Sequence, residues 1–404
     1  MKIVVLKFGG TSLGSINKIK NVAKIIVTYL KKRNKVIVVC SAMSGQTNRL
    51  IKLTRQISTN FDKSEYDAVV ATGEQVSCSL LAARMTDIGY LSRSWLGWQI
   101  PIITQGLHSH SRIIKINQKN ILKFLKKGGV PIISGFQGIN IENRITTIGR
   151  GGSDASAIML AKFFNANRCI IYTDVDGVYT TDPKVVPKAK KIKKISYEEM
   201  LEMASLGAKV MQPDSIQDAR MNRIDIEVRS TFKNVPGSLI TKKKNISTKN
   251  IIRGVSFTKN DSKITLVGVK DRPGVAAAIF EPLFKNSINV DMVVQNISSS
   301  KKETDLTFTI KNDDLLKTRR LINKNKRIKF RKLLIDEKVS KVSIVGVGMI
   351  TTPGVTFRMF NALAKKNINI LVISTSEIKI SVLVDRKNLK KSVDVLHKEF
   401  KLDY

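Results

Sequence analysis

The feature that most restricts the fold of this chain is a stretch that it repeats. Residues 271–290 read DRPGVAAAIFEPLFKNSINV and residues 351–370 read TTPGVTFRMFNALAKKNINI. At a constant offset of 80 residues, Pro273, Gly274, Val275, Phe280, Leu283, Ile288 and Asn289 recur as Pro353, Gly354, Val355, Phe360, Leu363, Ile368 and Asn369. Val267-Gly268 and Val347-Gly348 stand at the same offset upstream, each closing a run of strand character. A repeat of this kind is a supersecondary unit that buries its apolar face against its own copy or a neighbour. Each copy reads strand, Pro-Gly turn, apolar helix, strand, then further β pattern. The C-terminal part is therefore expected to be a duplicated βαββ-like unit.

The N-terminal part has a different rhythm. Segments 2–7, 36–40, 131–134 and 169–173 are short, apolar and rich in β-branched residues, as buried strands are. Helical patterns lie between them at 16–33, 73–88 and 121–127. Strands alternating with helices indicate a mainly parallel sheet covered on both faces, an α/β fold in three layers. Residues 141–148 suggest a hairpin with Asn143 near its turn. The polar, basic stretch VPGSLITKKKNISTK at 235–249 reads as the exit from this domain. The expected division is 1–245, then 246–335 and 336–404 for the two repeats.

At 404 residues, two or three domains are the natural expectation. No run approaches eighteen apolar residues, so no membrane helix is expected. The opening MKIVVLKFGG lacks the features of a signal peptide. Cys40, Cys78 and Cys169 are isolated in apolar or small-residue stretches, which points to reduced thiols and a cytoplasmic protein. Together with His108, His110 and His397 they form no metal-ligand spacing, so no protein-held metal is expected. The net charge of +38, and nine basic residues with no acid in 317–332, invite a nucleic-acid reading. Lysine outnumbers arginine 50 to 20, however, and the excess is spread along the chain. Arginine is the residue suited to forked contacts with phosphates and bases, so attraction of anionic metabolites is the better inference.

Three motifs carry chemistry. Lys7-Phe8-Gly9-Gly10-Thr11-Ser12 follows the first strand. Its glycines let backbone amides approach a phosphate, and Lys7 supplies a cation where phosphoryl charge accumulates. Its spacing is neither that of a Walker loop nor that of the dinucleotide fingerprint. Ile148-Gly149-Arg150-Gly151-Gly152-Ser153-Asp154 is a second glycine-rich turn before a helix. Here Arg150 suits a substrate carboxylate, and Asp154 is placed to cap the helix or orient a cation. Tyr172-Thr173-Asp174-Val175-Asp176-Gly177-Val178-Tyr179-Thr180-Thr181-Asp182-Pro183 is a strand-end loop suited to a nucleotide. It lacks the twelfth-position glutamate of a calcium loop.

Together these motifs resemble the amino-acid kinase family, and within it the aspartokinases. Ser41-Ala42-Met43-Ser44-Gly45-Gln46-Thr47-Asn48, Thr72-Gly73-Glu74 and Gly207-Ala208-Lys209-Val210 support the resemblance, which spans the whole chain. The repeat resembles paired ACT modules, ferredoxin-like α+β units in which one copy can be inserted within the other. The resemblance implies transfer of the ATP γ-phosphoryl group, with Mg2+, to the side-chain carboxylate of L-aspartate, giving 4-phospho-L-aspartate. This is the first step toward lysine, threonine and methionine. Such a carboxylate is already ionised at neutral pH, so no general base is required.

By the same resemblance Lys7, Asp154, Arg150 and Glu74 are catalytic. Lys7, Gly9, Gly10, Thr173, Asp174, Tyr179, Asp182, Lys184 and Lys209 bind ATP. Ser41, Thr47, Glu74, Arg150, Gly152 and Ser153 bind aspartate, with Glu74 on its α-ammonium. Gly274, Ala276, Asp291, Gln295, Asn296, Asn369, Ile370 and Ser374 are expected to bind an effector, lysine or threonine or both. A homodimer or larger assembly through the ACT modules is implied as well. The chain departs from many relatives at Met211-Gln212-Pro213, where they carry leucine and histidine before the proline. The rivals are kinases of glutamate, acetylglutamate, carbamate or a nucleoside monophosphate, a sensor with an inactive kinase domain, and a basic nucleic-acid binder.

Overall fold

The computed structural model describes residues 2–149, 151–206, 210–242, 246, 250–297, 303–325 and 327–403. They form two compact units. The first comprises residues 1–178, 191–205 and 209–247, and the second 179–190, 206–208 and 248–404.

The first unit runs β1 (Ile3–Phe8), α1 (Ile16–Lys31), β2 (Lys35–Cys40), α2 (Gln46–Ile57), α3 (Lys63–Val70), α4 (Thr72–Asp87) and β3 (Ser92–Trp95). It continues with β4 (Ile102–Gln105), β5 (Arg112–Ile116), α5 (Lys119–Lys126), β6 (Val130–Ser134), β7 (Gln137–Ile139), β8 (Ile145–Thr147) and α6 (Gly152–Phe163). It ends with β9 (Arg168–Thr173), β10 (Lys194–Ser196), α7 (Tyr197–Ser205), α8 (Pro213–Asn222), β11 (Ile226–Ser230) and β12 (Ser238–Thr241). Eight strands form the main sheet in the order β10-β12-β11-β9-β1-β2-β6-β3, and only β11 and β12 pair antiparallel. All six residues of β1 are buried, which is why its apolar pattern is continuous rather than alternating. Beside it α1 buries Ile19, Val22, Ala23 and Ile26, and Ser15 Oγ accepts from Lys18 N at its start. A second sheet, β5-β4-β7-β8, holds the expected hairpin, with Asn143 at φ 59° in its turn.

The second unit contains both repeats. They are β13 (Gly254–Lys270), α9 (Val275–Lys285), β14 (Val293–Ile297), β15 (Glu303–Lys311) and α10 (Leu315–Lys324), then β16 (Lys332–Val345), α11 (Val355–Ala364), β17 (Val372–Thr375), β18 (Lys379–Asp385) and α12 (Leu389–Glu399). One six-stranded sheet, β14-β15-β13-β16-β18-β17, joins them with near two-fold order about the β13–β16 pair. Gly274 and Gly354, at φ 85° and 84°, make the same left-handed turn before α9 and α11. The first core gathers Ile264, Leu266, Ile279, Leu283 and Phe308, and the second Val342, Ile344, Met359, Leu363 and Val382. Ile252 and Val255 belong to the second core, so the first half of β13 serves the later repeat.

The segment 179–190 also packs in this unit. Val186 is buried in the second core, Val255 N donates to Thr180 O, and Thr180 Oγ1 lies 2.9 Å from His397 Nε2.

Candidate active site

The strands of the main sheet end level with one another. Phe8 pairs with Cys40 and Tyr172, and Cys40 with Ser134, so β1, β2, β6 and β9 deliver their C-terminal loops to one edge. Of the expected catalytic residues, that edge holds Lys7, Glu74 and Asp154.

Lys7 is the last but one residue of β1, and burial of the whole strand leaves its side chain only 11% exposed. Its ammonium lies 2.6 Å from Asp154 Oδ1. Asp154 stands in the first turn of α6, which begins at Gly151 in the left-handed conformation, φ 77°. The first ten residues of α6 are buried, so packing fixes this helix and the carboxylate it carries. An ammonium held by a carboxylate in a dry cleft cannot sweep through rotamers. It is held in one place, as a cation that meets developing charge has to be.

The glycine turn after β1 is equally constrained. Gly9 N donates to Tyr172 O, and Gly9 O accepts from Ser12 N. Gly10 O accepts from Ser44 N, and a Cβ at Gly10 would sit 2.8 Å from Ala42 O. Two strand-end loops thus touch backbone to backbone, which only glycine permits. Ser12 Oγ meets Thr231 Oγ1 at 2.6 Å and ties this turn to the chain after β11.

Glu74, in the first turn of α4, is 3% exposed. Its Oε1 accepts from Ala42 N at 3.0 Å, while Oε2 is buried and has no hydrogen-bond partner among the described residues. Burial pushes the carboxyl up to about 7, against the Ala42 amide, its own amide and the Lys7 ammonium, which lower it. A buried oxygen without a donor calls for a cation from outside. Ser41 follows β2, with its N–H donating to Phe8 O. Thr47 is half-buried in the first turn of α2, and Gly152 and Ser153 are buried at the start of α6. Arg150 and Lys209 lie outside the described residues.

Of the residues expected to bind nucleotide, Thr173 ends β9, and its hydroxyl donates to Asp174 Oδ1 at the surface. Tyr179, Asp182 and Lys184 fall in the second unit. Asp182 Oδ1 accepts from Lys184 N there, in a turn.

Phe136 escaped the sequence reading. It sits at φ 68°, a rare conformation for a bulky residue, two residues after the end of β6. Its N–H donates to Ser156 Oγ, its carbonyl accepts from Ile148 N, and its ring lies where a Cβ at Gly152 would go. The signal was the run Gly135-Phe136-Gln137-Gly138 directly after an apolar strand, a place where strain accumulates at working sites.

The expected effector residues form two separate groups. Gln295 and Asn296 stand exposed on β14, at one edge of the six-stranded sheet, and Gly274, Ala276 and Asp291 belong to the same repeat. Asp291 is ion-paired with the buried Lys341. Ser374 stands on β17 at the opposite edge, with Asn369 and Ile370 just before that strand. Five strand spacings separate the two edges, about 24 Å. One chain does not bring these groups together.

Residues 2–230 match the model of the amino acid kinase family, and residues 264–325 and 342–400 that of the ACT domain. The aspartate kinase of Pseudomonas putida is 45% identical over 405 residues, covering 100% of this chain and 98% of that protein. E. coli aspartokinase III in complex with aspartate and ADP has the same fold, with a TM-score of 0.80 at 25% identity, over 98% of this chain and 99% of that one. The same enzyme in complex with lysine and aspartate gives 0.81, also at 25% identity with 98% and 99% covered. With both domain types in order and relatives matched end to end, the chain belongs to the amino acid kinase family and, within it, to the aspartokinases.

Proposed function

We propose that L-aspartate and MgATP meet at the C-terminal edge of the main sheet, between the Lys7–Asp154 pair and Glu74. The observation that carries this reading is the pairing of a fixed ammonium with a buried, unsatisfied carboxylate oxygen on one edge. A side-chain carboxylate oxygen of aspartate attacks the γ-phosphorus, the bond to the β-phosphate oxygen breaks, and its electron pair leaves with ADP. No proton has to move, because the attacking carboxylate is already ionised. The task is to bring an anion onto a polyanion, and cations in fixed positions perform it.

Lys7 takes the transferring phosphoryl charge, with Gly9 and Gly10 beneath it, and Asp154 orients Lys7. Glu74 Oε2 receives the α-ammonium of aspartate, Arg150 its α-carboxylate, and Ser41, Thr47, Gly152 and Ser153 complete the substrate side. Thr173 and Asp174 face the nucleotide, and we assign the same role to Tyr179, Asp182, Lys184 and Lys209. Magnesium arrives on ATP as part of that substrate; among the described residues no three side chains of metal-binding type converge. No described helix is long and apolar enough to cross a membrane, and we assign the protein to the cytoplasm, where its substrates are.

The repeats serve feedback. The expected effector residues sit on opposite edges of one sheet, and both edges are open strands. Bringing the β14 edge of one copy to the β17 edge of another would unite them, so we assign the effector site to an interface between copies, in a homodimer or larger assembly. Steady-state rates titrated with lysine, with threonine and with both together test this. Inhibition by at least one regime, with sigmoidal concentration dependence, is expected. Rates untouched in all three would refute an amino-acid effector.

A further inference from the structure

A carboxylate outside the site described above is built with unusual care. Asp67, on α3, is fully buried. It accepts from Ser109 N at 2.9 Å, Thr147 N at 3.0 Å, Ser109 Oγ at 3.1 Å and Thr147 Oγ1 at 2.5 Å, and His108 Nδ1 lies 2.8 Å away. A buried carboxylate costs several kcal/mol unless its lone pairs are met, and these five contacts meet them. Apolar contact would join two loops more cheaply. A satisfied buried charge instead selects one arrangement and penalises its neighbours.

The arrangement it selects leads to the active site. Thr147 is the last residue of β8, and both its amide and its hydroxyl are held by Asp67. The next residues are fixed in turn: Ile148 N donates to Phe136 O, and at Gly149, φ 46°, a Cβ would be strained and crowd His110 Nδ1 at 3.2 Å. His110 belongs to the same loop that Asp67 holds through Ser109, and Ser111 N donates to Thr147 O. Gly151 then opens α6, whose first turn carries Ser153 and Asp154. Six residues separate Thr147 from Asp154, and no other described buried carboxylate engages the start of that run.

We propose that Asp67 is a positioning residue for phosphoryl transfer. From α3 it sets the backbone at Thr147–Gly149 ahead of α6, and so the placing of aspartate and of Asp154 against Lys7. This rests on the assignment of the start of α6 to the substrate side.

The test is a kinetic comparison of full-length Asp67→Ala, Asp67→Asn and Thr147→Val. In Asp67→Ala, kcat/KM for aspartate is expected to fall about 100-fold, the scale of a displacement of about 1 Å, while KM for ATP stays within about twofold. In Asp67→Asn one oxygen still accepts both backbone amides and the new amide meets the two hydroxyls, so activity returns to within about fivefold. Thr147→Val removes one hydroxyl contact and raises KM for aspartate about fivefold. Should Asp67→Ala fail to fold, Asp67→Asn and Thr147→Val decide alone. An unchanged KM for aspartate in Thr147→Val overturns the proposal, as does a loss in Asp67→Ala that merely tracks the unfolded fraction by circular dichroism. Arg150→Ala separates the two claims. If it spares KM for aspartate while Asp67→Ala raises it, the substrate assignment fails and the positioning role stands.

Discussion

Lys7→Ala lowers kcat by about three orders of magnitude and leaves both Michaelis constants within a few-fold. A single preorganised donor to transition-state charge is worth about 100- to 1,000-fold in rate, and Lys7 brings a full charge in a cleft from which water is largely excluded. Its Nζ is already 2.6 Å from Asp154 Oδ1, so nothing reorganises when the phosphoryl group moves. The interaction grows as charge spreads over the equatorial oxygens, so the loss falls on kcat and kcat/KM together. Asp154→Asn keeps the shape but weakens the hold on the ammonium, and its loss is smaller. Steady-state kinetics with both substrates varied measures these effects. A Lys7→Ala enzyme that retained a tenth of its turnover would mean that the cation is placed elsewhere.

Glu74→Gln raises KM for aspartate about 100-fold, about 2.7 kcal/mol, and changes kcat little. The free oxygen of Glu74 is buried and lacks a partner among the described residues, and in the proposed site the α-ammonium of aspartate is the charge that completes it. The amide keeps the volume and the contact with Ala42 N but offers the ammonium no charge. A pH signature follows from burial. The carboxyl is held up to about 7 in the unliganded protein, so only above that pH is the binding form predominant. kcat/KM for aspartate, which reports the free enzyme, rises as pH increases through about 7, and the rise is missing in Glu74→Gln. Stability has the opposite sign. The folded state holds this proton more tightly than the unfolded chain, so the unliganded protein loses stability as pH climbs from the ordinary carboxyl value toward 7. Aspartate restores it. A flat profile across pH 6 to 8 in the parent enzyme would remove Glu74 from the ammonium site.

Much of the fold is legible where local and global preferences agree. The strand Ile3–Phe8 is visible because a strand buried on both faces has to be apolar throughout, and the glycines after it because two backbones touch at Gly10 and Ala42. The repeat is visible because both copies need the same left-handed glycine before the same apolar helix. What stays hidden depends on long-range packing. The flanking glycines Gly135 and Gly138 hint at a turn, but nothing local says that Phe136 itself takes the left-handed backbone, which is held from twenty residues away through Ser156. Asp67 looks like one more polar residue on a short helix, and only tertiary structure brings Ser109 and Thr147 to it. The loop 179–190 reads as a continuation of the nucleotide loop, yet Val186 and Thr180 pack with the repeats, because Val255 and His397 supply partners that spacing cannot reveal. The effector residues looked like one set in sequence. The sheet order places them on two edges, since each repeat contributes its own outer strand.

The central claim is that fixed cations direct the γ-phosphoryl group of ATP onto the side-chain carboxylate of aspartate without a general base. Trapping the acyl phosphate with hydroxylamine measures this most directly, in reactions containing MgATP and either aspartate, glutamate, N-acetylglutamate or carbamate. Aspartate-dependent hydroxamate is expected, formed in step with ADP, abolished by Lys7→Ala and at most marginal with the other three. Hydroxamate from one of those carboxylates in preference to aspartate, or ADP released with none trapped, would contradict the claim.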